Sequence, residues 1–141
     1  MMPDPVALFA TVVLLFPMGY FLLAAPAFLL VSLDVPPVTQ LLRGMFSSYF
    51  LMVAIAGLVG TVCVALTGRI FVAMCIALIA AFAVWARRWF LERWDAQLRA
   101  RDAGDADAVR RLRRLHWGGM LCNAIELAVV VISIPYVVTP H

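Results

Sequence analysis

Four long apolar runs carry a single acidic or basic side chain between them, and this leaves few folds open. They extend from Val6 to Leu33, from about Met45 to Leu66, from about Ile70 to Ala86 and from about Trp117 to Val138, and the exception is Glu126. A hydrocarbon core about 30 Å thick takes roughly 20 apolar residues as a helix. Within it, only helices and closed barrels satisfy every backbone group. Barrel strands alternate apolar and polar residues, and these runs do not. With 65% hydrophobic and 13% charged residues, the 141-residue chain has about half the charge of an ordinary soluble domain. Its mean hydropathy is +1.01. The expected fold is all-α: a polytopic membrane protein with one membrane domain over 1–141, built as a four-transmembrane-helix bundle.

Pro17, Gly19 and Pro26 interrupt the first run, which predicts a kinked or tilted helix. That run lacks a basic n-region, bears Asp4 near its start and is longer than a leader's apolar core, so it is read as a retained span. The short Thr67-Gly68-Arg69 connection makes the second and third spans antiparallel neighbours.

All eleven basic residues are arginines, and nine of them (Arg87, Arg88, Arg93, Arg99, Arg101, Arg110, Arg111, Arg113 and Arg114) lie between the third and fourth spans. The positive-inside rule makes that loop cytoplasmic and both termini external. Arg43 then falls on the cytoplasmic side and Arg69 outside. The all-arginine basic set and alanine-rich spans point to a bacterial inner membrane.

The loop itself has helical periodicity. Phe90, Leu91, Trp94 and Leu98 recur at short helical spacings, as do Val109, Leu112 and Leu115. Gly104 supplies a helix C-terminus, Asp105 an N-capping carboxylate, and Asp107 an acid in the next first turn. A cytoplasmic helical hairpin over about 87–116 follows. Arg87, Arg88, Arg93, Arg110, Arg111, Arg113 and Arg114 are its candidate contacts to a partner or to lipid headgroups. In the plainer alternative, Trp85, Trp89 and Trp94 mark the membrane interface and the arginines only set topology. Five acids among the arginines and the lack of a recognition motif argue against nucleic acid.

The one acid within the apolar runs lies on the fourth span, beside Asn123. Taking Trp117 as the surface, Asn123 lies roughly 10 Å deep and Glu126 roughly 15 Å deep. His116, Asn123 and Glu126 share one helical face by spacing. An acid at the centre of a lipid-exposed helix costs on the order of 3 kcal/mol, so that face should look into the bundle. Candidate partners for Glu126 are Asn123, Ser47, Ser48, Tyr49, Tyr20, or carbonyls freed by Pro17 or Pro26. Two roles remain open: a proton, cation or small-ligand site, or hydrogen bonds that fix helix packing.

Cys63, Cys75 and Cys122 show no metal-ligand spacing and are expected as buried free thiols, with a Cys63–Cys75 disulfide as the alternative. Ala56-x-x-x-Gly60, with Gly57, offers a small-residue face for helix association. The functional expectations follow. The first is a non-enzymatic accessory or structural subunit, packing against a larger membrane complex or itself. The second is a binding or transport module using Glu126 and Asn123. The third is a haem protein with His116 as axial ligand, since His141 lies too far away on the opposite face to share a site. Otherwise no cofactor or metal is expected.

Leu115-His116, Asn123 seven residues after the histidine, and Glu126-Leu127 resemble the closing motif of the transmembrane protein 205-like family, also described as domain of unknown function 4149. Ala25-Pro26 and Leu41-Leu42-x-x-Met45-Phe46-x-x-Tyr49-Phe50 are similar to its early elements. The resemblance covers essentially the whole chain, although the middle matches only in hydropathy. Gly119 stands where the family has serine, and Glu126 where glutamine is usual. The resemblance implies a four-helix membrane protein of mostly uncharacterised function, with animal relatives linked to vesicle traffic and drug resistance.

Overall fold

The computed structural model describes residues 4–139. Four helices form the chain: α1 (Pro5–Ala24), α2 (Pro36–Leu66), α3 (Ile70–Asp102) and α4 (Ala108–Val138). A 3₁₀ turn, Ala25–Leu30, continues α1. All four helices are long and apolar enough to cross a membrane, consistent with an integral membrane protein. Each packs against its sequence neighbours, and α1 also meets α4, closing an up-down-up-down bundle.

Local chemistry explains most boundaries. The Asp4 carboxylate accepts from the N–H groups of Val6 and Ala7, and Pro5 follows at a position that needs no N–H. Pro17 lies within α1 without ending it. The helix tightens at Pro26, whose missing N–H cannot continue the α-helical ladder. Gly68 and Gly104 take φ of +81° and +91° in the two tight turns, where an L side chain would be strained.

The two long helices around the hairpin are each continuous, so α3 and α4 run from the apolar zone into the hairpin without a break. The first residue of α4 is Ala108, later than the expected cap at Asp105. Asp105 instead accepts from the N–H of Asp107 in the turn, through its side chain at 2.9 Å. The second helix also exceeds its expected span. It starts at Pro36, and its 31 residues extend about 46 Å, well beyond a hydrocarbon core. Its first turns add a third member to the hairpin, where Thr39 and Leu42 are buried with Leu98 and Leu112.

Aromatic packing concentrates in the hairpin half of the bundle. Phe46 lies 4.1 Å from Phe90, 4.9 Å from Phe21 and 6.0 Å from Trp94, measured between ring centroids. Trp94 is fully buried in this cluster with Phe90 and Leu98, as the helical periodicity of the loop predicts and against the alternative that places it at the membrane interface, because the first turns of α2 cover that face of α3. The opposite end closes on small side chains, Ala10 and Ala73 with Val64 and Ile76.

Arginines fasten both ends. Arg43 makes a bidentate pair with Asp95, at 2.6 and 2.7 Å. Arg101 donates to Thr39 Oγ1 and the Leu33 carbonyl, and Arg87 to Ser47. At the other end Arg69 donates to Asp4 and to the carbonyls of Tyr136 and Val137, while the Asp4 N–H bonds the Val138 carbonyl. Arg43 and the hairpin therefore share one end of the bundle, and Arg69, Asp4 and Val138 share the other.

Two expectations are corrected. None of the three free cysteines is buried: Cys75 is exposed, and Cys63 and Cys122 are half-buried on outward-tending faces. The small-residue face of α2 is used within the chain. Gly57 packs so closely on α3 that an added Cβ would sit 2.8 Å from the Ala80 methyl, and Gly60 faces Ala10 and Ile76.

Candidate functional site

The polar residues of α4 lie on one stripe but answer to different helices. His116 is fully buried, and its Nε2 is 3.0 Å from the Ala25 carbonyl. A carbonyl only accepts, so Nε2 carries the hydrogen and the Nδ1 lone pair faces the Arg113 guanidinium at 3.4 Å. Asn123, 1% exposed, donates through Nδ2 to the Met18 carbonyl at 3.2 Å. Its Oδ1 is buried without a partner among the described residues. These two side chains stitch α4 to α1 on either side of the aromatic cluster.

Glu126 turns elsewhere. Its Oε2 accepts from the Tyr49 hydroxyl of α2 at 3.1 Å, the partner chosen from the several that sequence allowed. Tyr49 is 5% exposed and stacks on Phe21 at 4.3 Å, which fixes the hydroxyl's direction. Glu126 itself is half-buried. It lines an open groove of about 500 Å³ between α3 and α4, walled by Leu78, Ile79, Phe82, Cys122 and Ile125. Neither His116 nor Asn123 reaches that groove, so the three polar residues do not converge on one site.

Sequence reasoning identified Glu126 without finding its groove. Cys122 stands one turn before Glu126 on the same face, which was a visible signal. Leu78, Ile79 and Phe82 were hidden in a uniformly apolar run, where no polar pattern distinguishes a groove wall from a lipid-facing side.

The seven hairpin arginines singled out divide by use. Arg87 holds Ser47, and Arg113 holds the carbonyls of Phe28 at 2.7 Å and Val31 at 2.6 Å. At the tip, Arg110 pairs with Asp107, and Arg111 with Asp105 and Gln97. Arg93 lies over the Trp89 ring, 5.3 Å from its centroid. Arg88 and Arg114 are exposed and have no hydrogen-bonded partner among the described residues. His141 lies outside the described residues, and no cluster of three metal-ligating side chains occurs among those described.

Comparison of the chain with models of protein families, with curated proteins and with solved structures finds no match.

Proposed function

We propose that this integral membrane protein is a non-enzymatic binding module whose α3/α4 groove takes a proton or a cationic amphiphile at Glu126. The observation that carries this reading is a carboxyl group held, among the described residues, by one hydrogen bond in a groove that opens sideways from the bundle. Tyr49 occupies one oxygen and leaves the carboxyl's other acceptor positions for a ligand. An otherwise apolar cavity of this volume with one well-placed polar group fits the general character of small-molecule sites. Phe82 in the wall adds an aromatic face for a cation.

The test is equilibrium binding of tetraphenylphosphonium to the protein in lipid nanodiscs. Binding that falls at least tenfold in Glu126→Gln and survives in Glu126→Asp supports the site. Equal binding by all three proteins contradicts it.

A second reading, an accessory subunit packed against a larger complex or another copy, draws on α4, whose transmembrane stretch is the least covered of the four. Ile125, Val129, Ile132 and Tyr136 are exposed along it. A monomer in mild detergent and in native membranes would dispose of that reading.

Haem does not fit His116, because Nε2 is spent on Ala25 and Nδ1 confronts a cation inside a closed core. The charge distribution supports a cytoplasmic hairpin with both termini external, in a bacterial inner membrane. Membership of the transmembrane protein 205-like family belongs to the same proposal. It is supported by a physical link between the motif elements: His116 bonds the Ala25 carbonyl beside Pro26.

A further inference from the structure

The α1/α4 seam carries a second groove of about 210 Å³, which shares only Leu121 with the groove at Glu126. Phe21, Leu22 and Pro26 wall it on one side, and Trp117, Leu121 and Ala124 on the other. Asn123 also borders it, but its Nδ2 is spent on the Met18 carbonyl and the side chain is 1% exposed, so the surface on offer is apolar and suits a hydrocarbon chain. Along α4 it extends from Trp117 to Ala124, about 10 Å down the helix axis.

The head of the seam is basic. Arg113 lies one turn before Trp117 on the α1 side of the helix, and Arg114 lies one and two turns before Trp117 and Leu121, at the head of the ridge that forms the groove's outer wall. Arg113 is fastened to the Phe28 and Val31 carbonyls, which hold its guanidinium over the seam without neutralising it. Arg114 is exposed and has no carboxylate within ion-pair distance among the described residues. Four of the five hairpin acids are already paired, Asp95 with Arg43, Asp102 with Arg101, Asp105 with Arg111 and Asp107 with Arg110. Trp117 is 55% exposed between the charges and the groove, the level at which an indole bridges headgroup and chain.

We propose that this seam seats one anionic phospholipid. One acyl chain lies against Trp117, Leu121 and Leu22, and the phosphate is bound by Arg114 with Arg113 beside it. Charge complementarity selects the occupant: a zwitterionic lipid would fill the groove as well but gains less from two unneutralised guanidiniums.

The test uses Trp117 fluorescence in a Trp85→Phe, Trp89→Phe background, which leaves only the buried Trp94 as a second indole. The protein is placed in phosphatidylcholine nanodiscs doped with brominated phosphatidylglycerol or, at the same mole fraction, brominated phosphatidylcholine. The anionic lipid is expected to occupy the quenching site about fivefold more strongly, the scale of one arginine near an anionic headgroup. Arg114→Gln should remove that preference, while Arg99→Gln, at an exposed position nearer the hairpin tip, should leave it intact. Equal quenching by the two lipids overturns the proposal. An unchanged preference in Arg114→Gln does so too, as does an equal loss in both variants, which would mark diffuse attraction to the whole hairpin.

Discussion

Phe46 lies against the bare backbone of Gly119, so close that a Cβ built there would overlap the ring edge. The ring cannot retreat, because Phe21, Phe90 and Trp94 surround it. Gly119→Ala should therefore lower stability by about 1–3 kcal/mol through overpacking, despite the better helix propensity of alanine. Gly118, one residue earlier, has nothing within 4 Å of its would-be Cβ. Gly118→Ala should leave stability unchanged or raise it by up to about 1 kcal/mol. Denaturant unfolding in detergent micelles, followed by circular dichroism, compares the two.

The Arg43–Asp95 pair ties the first turns of α2 to α3 outside the apolar zone. Both side chains are about one-third exposed, so the bidentate geometry is offset by solvent screening. A double-mutant cycle of Arg43→Gln and Asp95→Asn should give a coupling energy of about 1 kcal/mol or less, diminishing as salt is raised. A coupling of several kcal/mol would mean that the pair behaves as a buried one.

At the other end, Asp4 joins the start of α1 to Arg69 and the last turn of α4. Burial raises its pKa, but the N–H groups of Ala7 and Val6 and the Arg69 guanidinium outweigh this and hold the carboxyl below its ordinary 3.8. A depressed folded pKa means that its stabilising contribution is complete above the ordinary value. It is lost as pH falls from there through the folded value. The protection of the Tyr136, Val137 and Val138 amides against hydrogen exchange, relative to the intrinsic rate at each pH, should fall below about pH 4 in the wild type. In Asp4→Asn that acid-dependent step should disappear.

The four-helix architecture was legible because run length and apolar content are governed by one strong constraint, the cost of polar backbone and charge in hydrocarbon. The continuation of α3 into the hairpin and the turn at Gly104 were legible for similar reasons. The first turns of α2 were not anticipated, because they precede the unbroken apolar run from Met45 and carry Gln40 and Arg43, although Pro36 and Pro37 suit the first turn of a helix. The interface role that the plainer alternative gives Trp94 and the assembly role given to Gly57 and Gly60 miss for a shared reason. An aromatic near a membrane surface, or a glycine on an apolar helix, has the same sequence signature whether it faces lipid, a partner or its own bundle. At the candidate site, the acid and its tyrosine were visible as residue types. The divergence of Asn123 and Glu126 toward different helices depends on the bundle's packing angles, which spacing along one helix does not encode.

The most direct test of the Glu126 site is an infrared difference spectrum of the protein in lipid, recorded as tetraphenylphosphonium is added, for wild type and Glu126→Gln. Bands of the Glu126 carboxyl that change with the cation, and that are absent from the variant, are the predicted result. A wild-type spectrum in which the cation binds but no band belonging to Glu126 moves would contradict the account, leaving the Tyr49–Glu126 hydrogen bond as a packing contact alone.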